Sequence, residues 1–400
     1  MVIKDNGNKR IIVRGLWRMN RRKPIKILIF SVSIGAGHDS VAQAIAERLL
    51  AEAPGSEVKI VDTFRYINSI LNKVVVGSYM ETLRFTPRFW GYLYDQAEEG
   101  EKLTEFSQLF AKLISPKLSQ LINQVNPQVI IATHAFPTGI LGQMKVKGKL
   151  HIPLVSAVTD FHIHPIWISK GVDLYFIHSA DLAYPLIQEG ISWEKIKPIG
   201  IPIRMQFGQE INHDEVKKEY GLNGDPVVLV MGGGLGLGRI EVITRKILSE
   251  ERFGVVVVAG RNKRLYKKLN EINSRRLCVF GYVEDMARII AACDLIISKP
   301  GGVTSAEILA MKKPLIIYSS FPGQEDRNTD YLLNRGAAIK VKKLDLLIPE
   351  FSALLQNPLR LQQMKEMAEH LGSPHSSKLV WDNIWQHFGN EFERSSCQND

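Results

Sequence analysis

Cysteine is scarce in this chain of 400 residues: only Cys278, Cys293 and Cys397 occur, with no CxxC spacing. That scarcity excludes a disulfide framework and a thiolate metal site, and it fits a reducing cytoplasm. Long apolar runs are missing as well. No stretch approaches the roughly 18 to 20 uninterrupted apolar residues of a spanning helix, so any membrane contact is expected to be peripheral. There is no HExxH pair; His134, His162 and His164, with Asp160 close to them, lack metal-ligand spacing, and no metal is expected. Acidic residues are in deficit, 41 Asp and Glu against 51 Lys and Arg, a formal balance of +10. Such an excess favours an anionic partner, whether nucleic acid, phosphorylated ligand or acidic lipid surface. The basic residues crowd the N-terminus and are otherwise scattered, so no continuous groove for nucleic acid is expected.

The first 26 residues hold nine basic side chains against Asp5 alone and lack the long apolar core of a secretory signal. Residues 1–24 read as a basic extension. Met19 offers an alternative start, and residues 1–18 receive no functional assignment.

What the chain does contain is an alternation of short β-branched runs with helical patterns, the signature of parallel α/β architecture. The first series runs through Ile25–Ser33, Glu57–Asp62, Val129–Thr133, Leu154–Val158 and Leu174–Ile177. The second runs through Val227–Met231, Gly254–Gly260, Leu277–Gly281, Leu295–Ser298, Leu315–Tyr318 and Ala338–Lys342. Each opens with a strand leading into a glycine-rich turn, which predicts two nucleotide-fold domains, 25–203 and 204–376, with the site in the cleft between them. Pro198–Arg204 reads as the linker. Ser377–Phe392 reads as a helix rich in tryptophan that can pack back across the junction. Tyr66–Phe110 breaks the alternation with aromatics and arginines, and is read either as helical core or as an amphipathic lobe for a lipid interface.

The first glycine turn, Ser33 to Ser40, follows a strand and opens a helix that Asp39 or Ser40 can cap. Gly35 and Gly37 match two positions of GxGxxG, but Ser40 takes the third, which weakens a nicotinamide reading that would also use Asp62. His38 in this turn projects toward a cleft, and an imidazole there can take a proton from a hydroxyl at neutral pH. In the second half, five glycines between Gly232 and Gly238 can turn successive N–H groups toward a pyrophosphate. Ser298 to Glu307 repeats the strand, glycine turn and helix. There Thr304 and Glu307 read either as a capping box or as a ribose-binding carboxylate in the first turn. Phe321 to Asn328 gathers amide and carboxylate groups suited to sugar hydroxyls.

In this order the motifs resemble glycosyltransferase family 28, and within it the diacylglycerol glucosyltransferases and monogalactosyldiacylglycerol synthases. The resemblance spans about Lys26 to Ala338 and rests on SIGAGHDSVAQAI, on TDFHIHPIW followed by GIPI, on MGGGLGLG, and on SKPGGVTSAEIL with FPGQEDRN. The first turn departs from the commoner GGGH by reading GAGH. The resemblance implies the GT-B form of α/β fold, two Rossmann-like domains facing across a cleft, and an inverting transfer of a hexose from a UDP-sugar to diacylglycerol. It implies that His38 is a base or acceptor-positioning group, with Gly37, Thr159 and Asp160 on the acceptor side. Gly233, Gly234, Gly301, Gly302 and Thr304 would hold the UDP, Glu307 the ribose, Gln324 and Glu325 the hexose, and Asn328 would line the sugar pocket. Helix N-termini and loop amides can stabilise the departing pyrophosphate, and the chain has no DxD triplet, so no cofactor is expected. The expected partners are a UDP-hexose, a lipid acceptor and an anionic membrane surface, with the protein peripheral on the cytoplasmic face of the cell membrane. Transfer to a lipid-linked cell-wall precursor is the nearest alternative, disfavoured by PGQE and the aromatic segment; a non-enzymatic nucleotide-fold regulator is the more distant one.

Overall fold

The computed structural model describes residues 22–33, 36–67, 102–222, 226–320 and 322–396, with backbone alone for 102–113 and 393–396. Most of the aromatic Tyr66–Phe110 segment, the basic start with Met19, and Gly35 lie outside the described residues.

Among the described residues, two parallel six-stranded sheets organise the chain. The first holds β1 (Lys26–Ser31), β2 (Glu57–Asp62), β3 (Val129–Ala132), β4 (Leu154–Ala157), β5 (Leu174–Ile177) and β6 (Ile196–Pro198), in the order β2-β1-β3-β4-β5-β6. The second holds β7 (Val227–Met231), β8 (Gly254–Val258), β9 (Leu277–Phe280), β10 (Leu295–Ser298), β11 (Leu315–Ile317) and β12 (Ala338–Lys340), in the order β12-β11-β10-β7-β8-β9. Inner strands such as β3, β7 and β10 are buried along their whole length, whereas edge strand β2 is largely open. Burial on both faces explains why the inner strands read as unbroken Val, Ile and Leu rather than alternating.

In each sheet the strand order reverses once, between β1 and β3 and between β7 and β10. At such a reversal the loops leaving two neighbouring strands diverge to opposite faces and leave a crevice beyond the strand ends, where ligands bind in open α/β sheets. All four glycine or histidine turns of interest leave these strands: His38 follows β1, Thr133 and His134 follow β3, the glycine-rich loop follows β7 and Gly301 follows β10.

A single apolar cluster ties the halves together, running from Ile29 and Val41 through Ile201 and Phe207 to Val303 and Trp381. The last helix, Ser376–Ser396, returns to the first domain and packs on helix Gly37–Glu52. Trp381 is fully buried there, and its indole N–H donates to the Ile45 carbonyl at 2.8 Å. Arg22 fastens the same corner, reaching Glu52 at 2.8 Å and Asp382 at 2.5 Å with its guanidinium 5.1 Å from the Trp385 ring.

Two local expectations are corrected. The linker begins later than Pro198, because Ile196–Pro198 is a short sixth strand; it sits at the sheet edge, where proline's missing N–H costs no ladder bond. Helix Gly37–Glu52 is not capped by Asp39 or Ser40: it starts at Gly37 after Ala36, without a side-chain cap. Asp39 instead accepts from the hydroxyls of Ser31 at 2.5 Å and Ser33 at 2.9 Å, holding the end of β1 against the first helical turn.

Candidate active site

The two sheets direct their glycine turns into one cleft, lined from the first domain by Gly37, His38, Thr159 and Asp160. From the second domain come Gly233, Gly234, Lys299, Gly301, Gly302, Thr304, Glu307, Gln324 and Glu325.

His38 is the second residue of its helix. Its Nδ1 lies 2.8 Å from the Thr133 carbonyl and 3.1 Å from the Thr159 hydroxyl. A carbonyl can only accept, so Nδ1 carries the proton and the neutral ring has its lone pair on Nε2. Burial lowers the pKa of His38, opposed by the charge of Asp160, so the ring is neutral at pH 7 and able to accept a proton. His134 stacks edge-on at 4.5 Å between centroids. Its own Nδ1 accepts from the Phe136 N–H at 3.0 Å, capping the helix Ala135–Val146, and burial holds its pKa well below the usual value. His164 likewise accepts from the Ile166 N–H at 3.2 Å as the cap of a short helical turn. Two of the three histidines weighed as metal ligands therefore have backbone-capping work.

Asp160 is buried and lines the same cleft as His38. Burial raises its pKa, while a hydrogen bond from Asn328 and the proximity of His38 pull it back down. The Asn328 amide donates to Asp160 Oδ1 at 3.0 Å and to the Pro300 carbonyl at 3.1 Å, and its oxygen accepts from the Phe161 N–H at 2.8 Å. This corrects the expectation that Asn328 lines the sugar pocket: it is fully buried and bolts the two domains together.

The glycine-rich loop after β7 is a folded turn, closed by Gly236 N–H to the Gly233 carbonyl at 2.9 Å and Leu237 N–H to the Gly232 carbonyl at 3.1 Å. Gly233 has φ 68°, a region that favours glycine. Gly234 serves a different need, since a β-carbon there would come within 2.7 Å of the Ala36 side chain across the cleft. Gly302 is tighter still, for a β-carbon on it would overlap the Thr159 carbonyl of the other domain. Helix Gly302–Ala310 begins at this contact with its N-terminus at the cleft, a position suited to phosphate oxygens.

Because Gly301 supplies the extended cap residue, that helix starts two residues before Thr304. Thr304 is therefore its third residue and Glu307 falls in the second turn, so the capping-box reading fails. Glu307 lines the cleft instead, with its carboxyl pushed up to about 8 by burial against the pull of Arg204. Glu325, near the start of helix Gln324–Asn334, is buried and makes a close ion pair with Lys299.

Lys299 and Arg204 are cleft residues that the sequence reading left unassigned. Lys299 was visible in SKPGG, but only the fold shows its side chain lying against Gly233 on one side and Glu325 on the other. Arg204 was read as linker; it reaches into the cleft and donates to Gln43 Oε1 at 2.5 Å.

Comparison with known proteins gives this arrangement a family. The monogalactosyldiacylglycerol (MGDG) synthase model matches residues 38–203, and the glycosyltransferase family 28 C-terminal domain model matches residues 227–380. A processive diacylglycerol beta-glucosyltransferase of Bacillus cereus (strain AH187) is 30% identical over 366 residues, 90% of this chain and 93% of its own. One from Bacillus pumilus (strain SAFR-032) is 29% identical over 372 residues, 92% of this chain and 95% of its own. The crystal structure of Acinetobacter baumannii MurG aligns with TM-score 0.59 at 14% identity, over 91% of this chain and 99% of that one, a likeness in fold. The two-domain architecture is thus of the GT-B type.

Proposed function

The chain belongs to the diacylglycerol glycosyltransferases of glycosyltransferase family 28, and on that premise we propose that it transfers a hexose from a UDP-sugar to diacylglycerol, making a membrane glycolipid. The observation that carries the mechanism is one cleft shared by a neutral histidine with an unprotonated Nε2 and, on the other domain, a glycine-rich loop and an open helix N-terminus.

Catalysis then runs as an in-line displacement. The acceptor hydroxyl oxygen attacks the anomeric carbon, the carbon–oxygen bond to the diphosphate breaks, and the configuration inverts. The hydroxyl proton passes to Nε2 of His38, and the Asp160 carboxylate stabilises the imidazolium that forms. Charge developing on the leaving UDP is met by the N-terminus of helix Gly302–Ala310, the Gly233 and Gly234 loop and the Lys299 ammonium, which supports a reaction without a metal ion. Thr304 adds a hydroxyl donor beside that terminus. Glu307 is suited to accept both ribose hydroxyls, and Gln324 with Glu325 to bind the hexose. Gly37, Thr159 and Asp160 face the acceptor side.

An acceptor that is itself a membrane lipid, together with the +10 balance, supports peripheral docking on an anionic membrane surface, and the UDP-sugar donor supports its cytoplasmic face. No helix among the described residues is long and apolar enough to cross a membrane.

The test is product analysis after incubation with dioleoylglycerol in anionic vesicles and either UDP-glucose or UDP-galactose. Glycolipid from one donor supports the reading and names the sugar. No glycolipid from either, with UDP still bound, moves the acceptor elsewhere.

A further inference from the structure

Helix Gln324–Asn334 does two things at once. Its first turn presents Gln324 and Glu325 to the cleft, and its next turns dock on the opposite domain. The docking is made by Asn328 to Asp160 and to the Phe161 N–H, by Tyr331 to the Ser179 hydroxyl at 2.9 Å, and by Arg335 to Asp181. Of these contacts only Asn328 reaches a group that lines the cleft, namely Asp160, which lines it together with His38.

We propose that Asn328 is a positioning residue, through which the donor domain completes the base on the acceptor domain: its amide holds the Asp160 carboxylate toward His38 only when the two domains are closed. Three features of the geometry support this. First, Asn328 is fully buried and its amide nitrogen is divided between Asp160 and the Pro300 carbonyl, the latter at the start of the loop Pro300–Gly302, so the amide is fixed in orientation by the donor domain itself. Second, the amide oxygen accepts from the backbone N–H of Phe161, the residue after Asp160, so the contact sets backbone and side chain together. Third, the backbone overlap forbidden at Gly302 and Thr159 brings the residue before Asp160 against the same loop. An anion so held stabilises the imidazolium as the acceptor proton arrives at Nε2. With the domains apart, Asp160 loses this donor. Chemistry is thereby tied to closure around the donor rather than to the acceptor domain alone.

The charged and titratable groups facing Asp160 are His38 from its own domain, His162 two residues on, and Glu325 from the donor domain, the last paired with Lys299. Asn328 is the contact that favours the Asp160 carboxylate from across the seam.

The inference rests on the proposed transfer reaction, and the full-length protein tests both separately. Steady-state transfer from UDP-glucose or UDP-galactose to dioleoylglycerol in anionic vesicles is compared with UDP affinity by calorimetry, for wild type, Asn328→Ala, Asp160→Asn and the double variant Asp160→Asn with Asn328→Ala. Asn328→Ala should lower kcat by about 10- to 100-fold and leave the UDP Kd within about 2-fold, because the UDP contacts lie within the donor domain. The acid limb of its kcat–pH profile should move to higher pH, since losing the amide makes Asp160 easier to protonate. Asp160→Asn keeps an amide oxygen to accept from the Asn328 amide, which stays bound to the Pro300 carbonyl, but leaves no anion at position 160, so it should keep wild-type thermal stability while kcat falls, and adding Asn328→Ala to it should lower kcat no further. The proposal is overturned if Asn328→Ala keeps kcat within about 2-fold, if it loses kcat with the acid limb unmoved, or if Asn328→Ala lowers kcat as much in the Asp160→Asn background as in wild type, any of which reduces Asn328 to a structural bolt. Wild type inactive with both donors would overturn the transfer reading itself and this inference with it.

Discussion

The Thr159 carbonyl occupies the space a β-carbon on Gly302 would need, so the helix that opens the phosphate side of the cleft meets the acceptor domain backbone to backbone. No rotamer change can relieve that overlap. Gly302→Ala should therefore pry the cleft apart, lowering kcat/KM by about 100-fold, as misplacement of reacting groups by about 1 Å does. Its stability loss should be only about 1–3 kcal/mol, typical of overpacking. Gly139→Ala, where the added carbon meets nothing within 4 Å, is the matched control and should leave activity intact. Kinetics and denaturant unfolding on the pair check this.

Glu307 makes the cleft pH-sensitive. Its carboxyl is raised from 4.5 to about 8, so between those values the folded protein holds a proton that the unfolded chain has released. Stability from this group is therefore fully present below about pH 4.5 and falls as pH rises toward about 8. Glu307→Gln should flatten that decline and raise the melting temperature near pH 8, while weakening UDP binding. Ribose hydroxyls favour the ionised carboxylate, so UDP binding near pH 7 should release protons. Calorimetry in two buffers of different ionisation enthalpy measures the release, and its absence would remove Glu307 from the ribose.

Lys299 and Glu325 form an ion pair with side chains 21% and 8% exposed. Lys299→Met removes the ammonium paired with the buried Glu325 carboxylate and should cost about 3–5 kcal/mol of stability. Adding Glu325→Gln removes the buried charge as well and should recover most of that loss, while transfer activity remains low in both variants. Unfolding curves alongside turnover distinguish the two effects; recovery of activity in the double variant would make the pair structural.

Trp381 fills a fully buried site on helix Gly37–Glu52, the helix that carries His38. Trp381→Ala should cost about 3–5 kcal/mol from cavity formation and the lost indole donor. A chemical denaturation midpoint that hardly moves would mean that the C-terminal helix is dispensable to the first domain.

The architecture was legible because parallel strands buried on both faces announce themselves as Val and Ile runs, and because glycine turns follow the strands at which each sheet reverses. β6 escaped notice because three residues ending in proline carry no such run. Cleft residues directly beyond β1, β7 and β10 were legible for the same reason as the turns. Asn328 was misread because sequence shows that a helix starts near Gln324 but not which turn of it faces the ligand and which faces the other domain. The Thr304 to Glu307 spacing fitted a capping box, yet Gly301 allowed an earlier start and moved the carboxylate into the cleft. Lys299 and Arg204 had no legible role because each is defined by partners far away in the chain, Glu325 and Gln43.

The most direct measurement is transfer by His38→Ala beside wild type, with dioleoylglycerol in anionic vesicles and UDP-glucose or UDP-galactose, reading glycolipid by mass spectrometry, its anomeric configuration by NMR, and UDP affinity by calorimetry. The account predicts a β-linked hexosyl diacylglycerol from wild type and a loss of about 100-fold or more in His38→Ala, within the range of general-base catalysis, with UDP bound equally by both. An α-linked product, or undiminished transfer by His38→Ala, would contradict it.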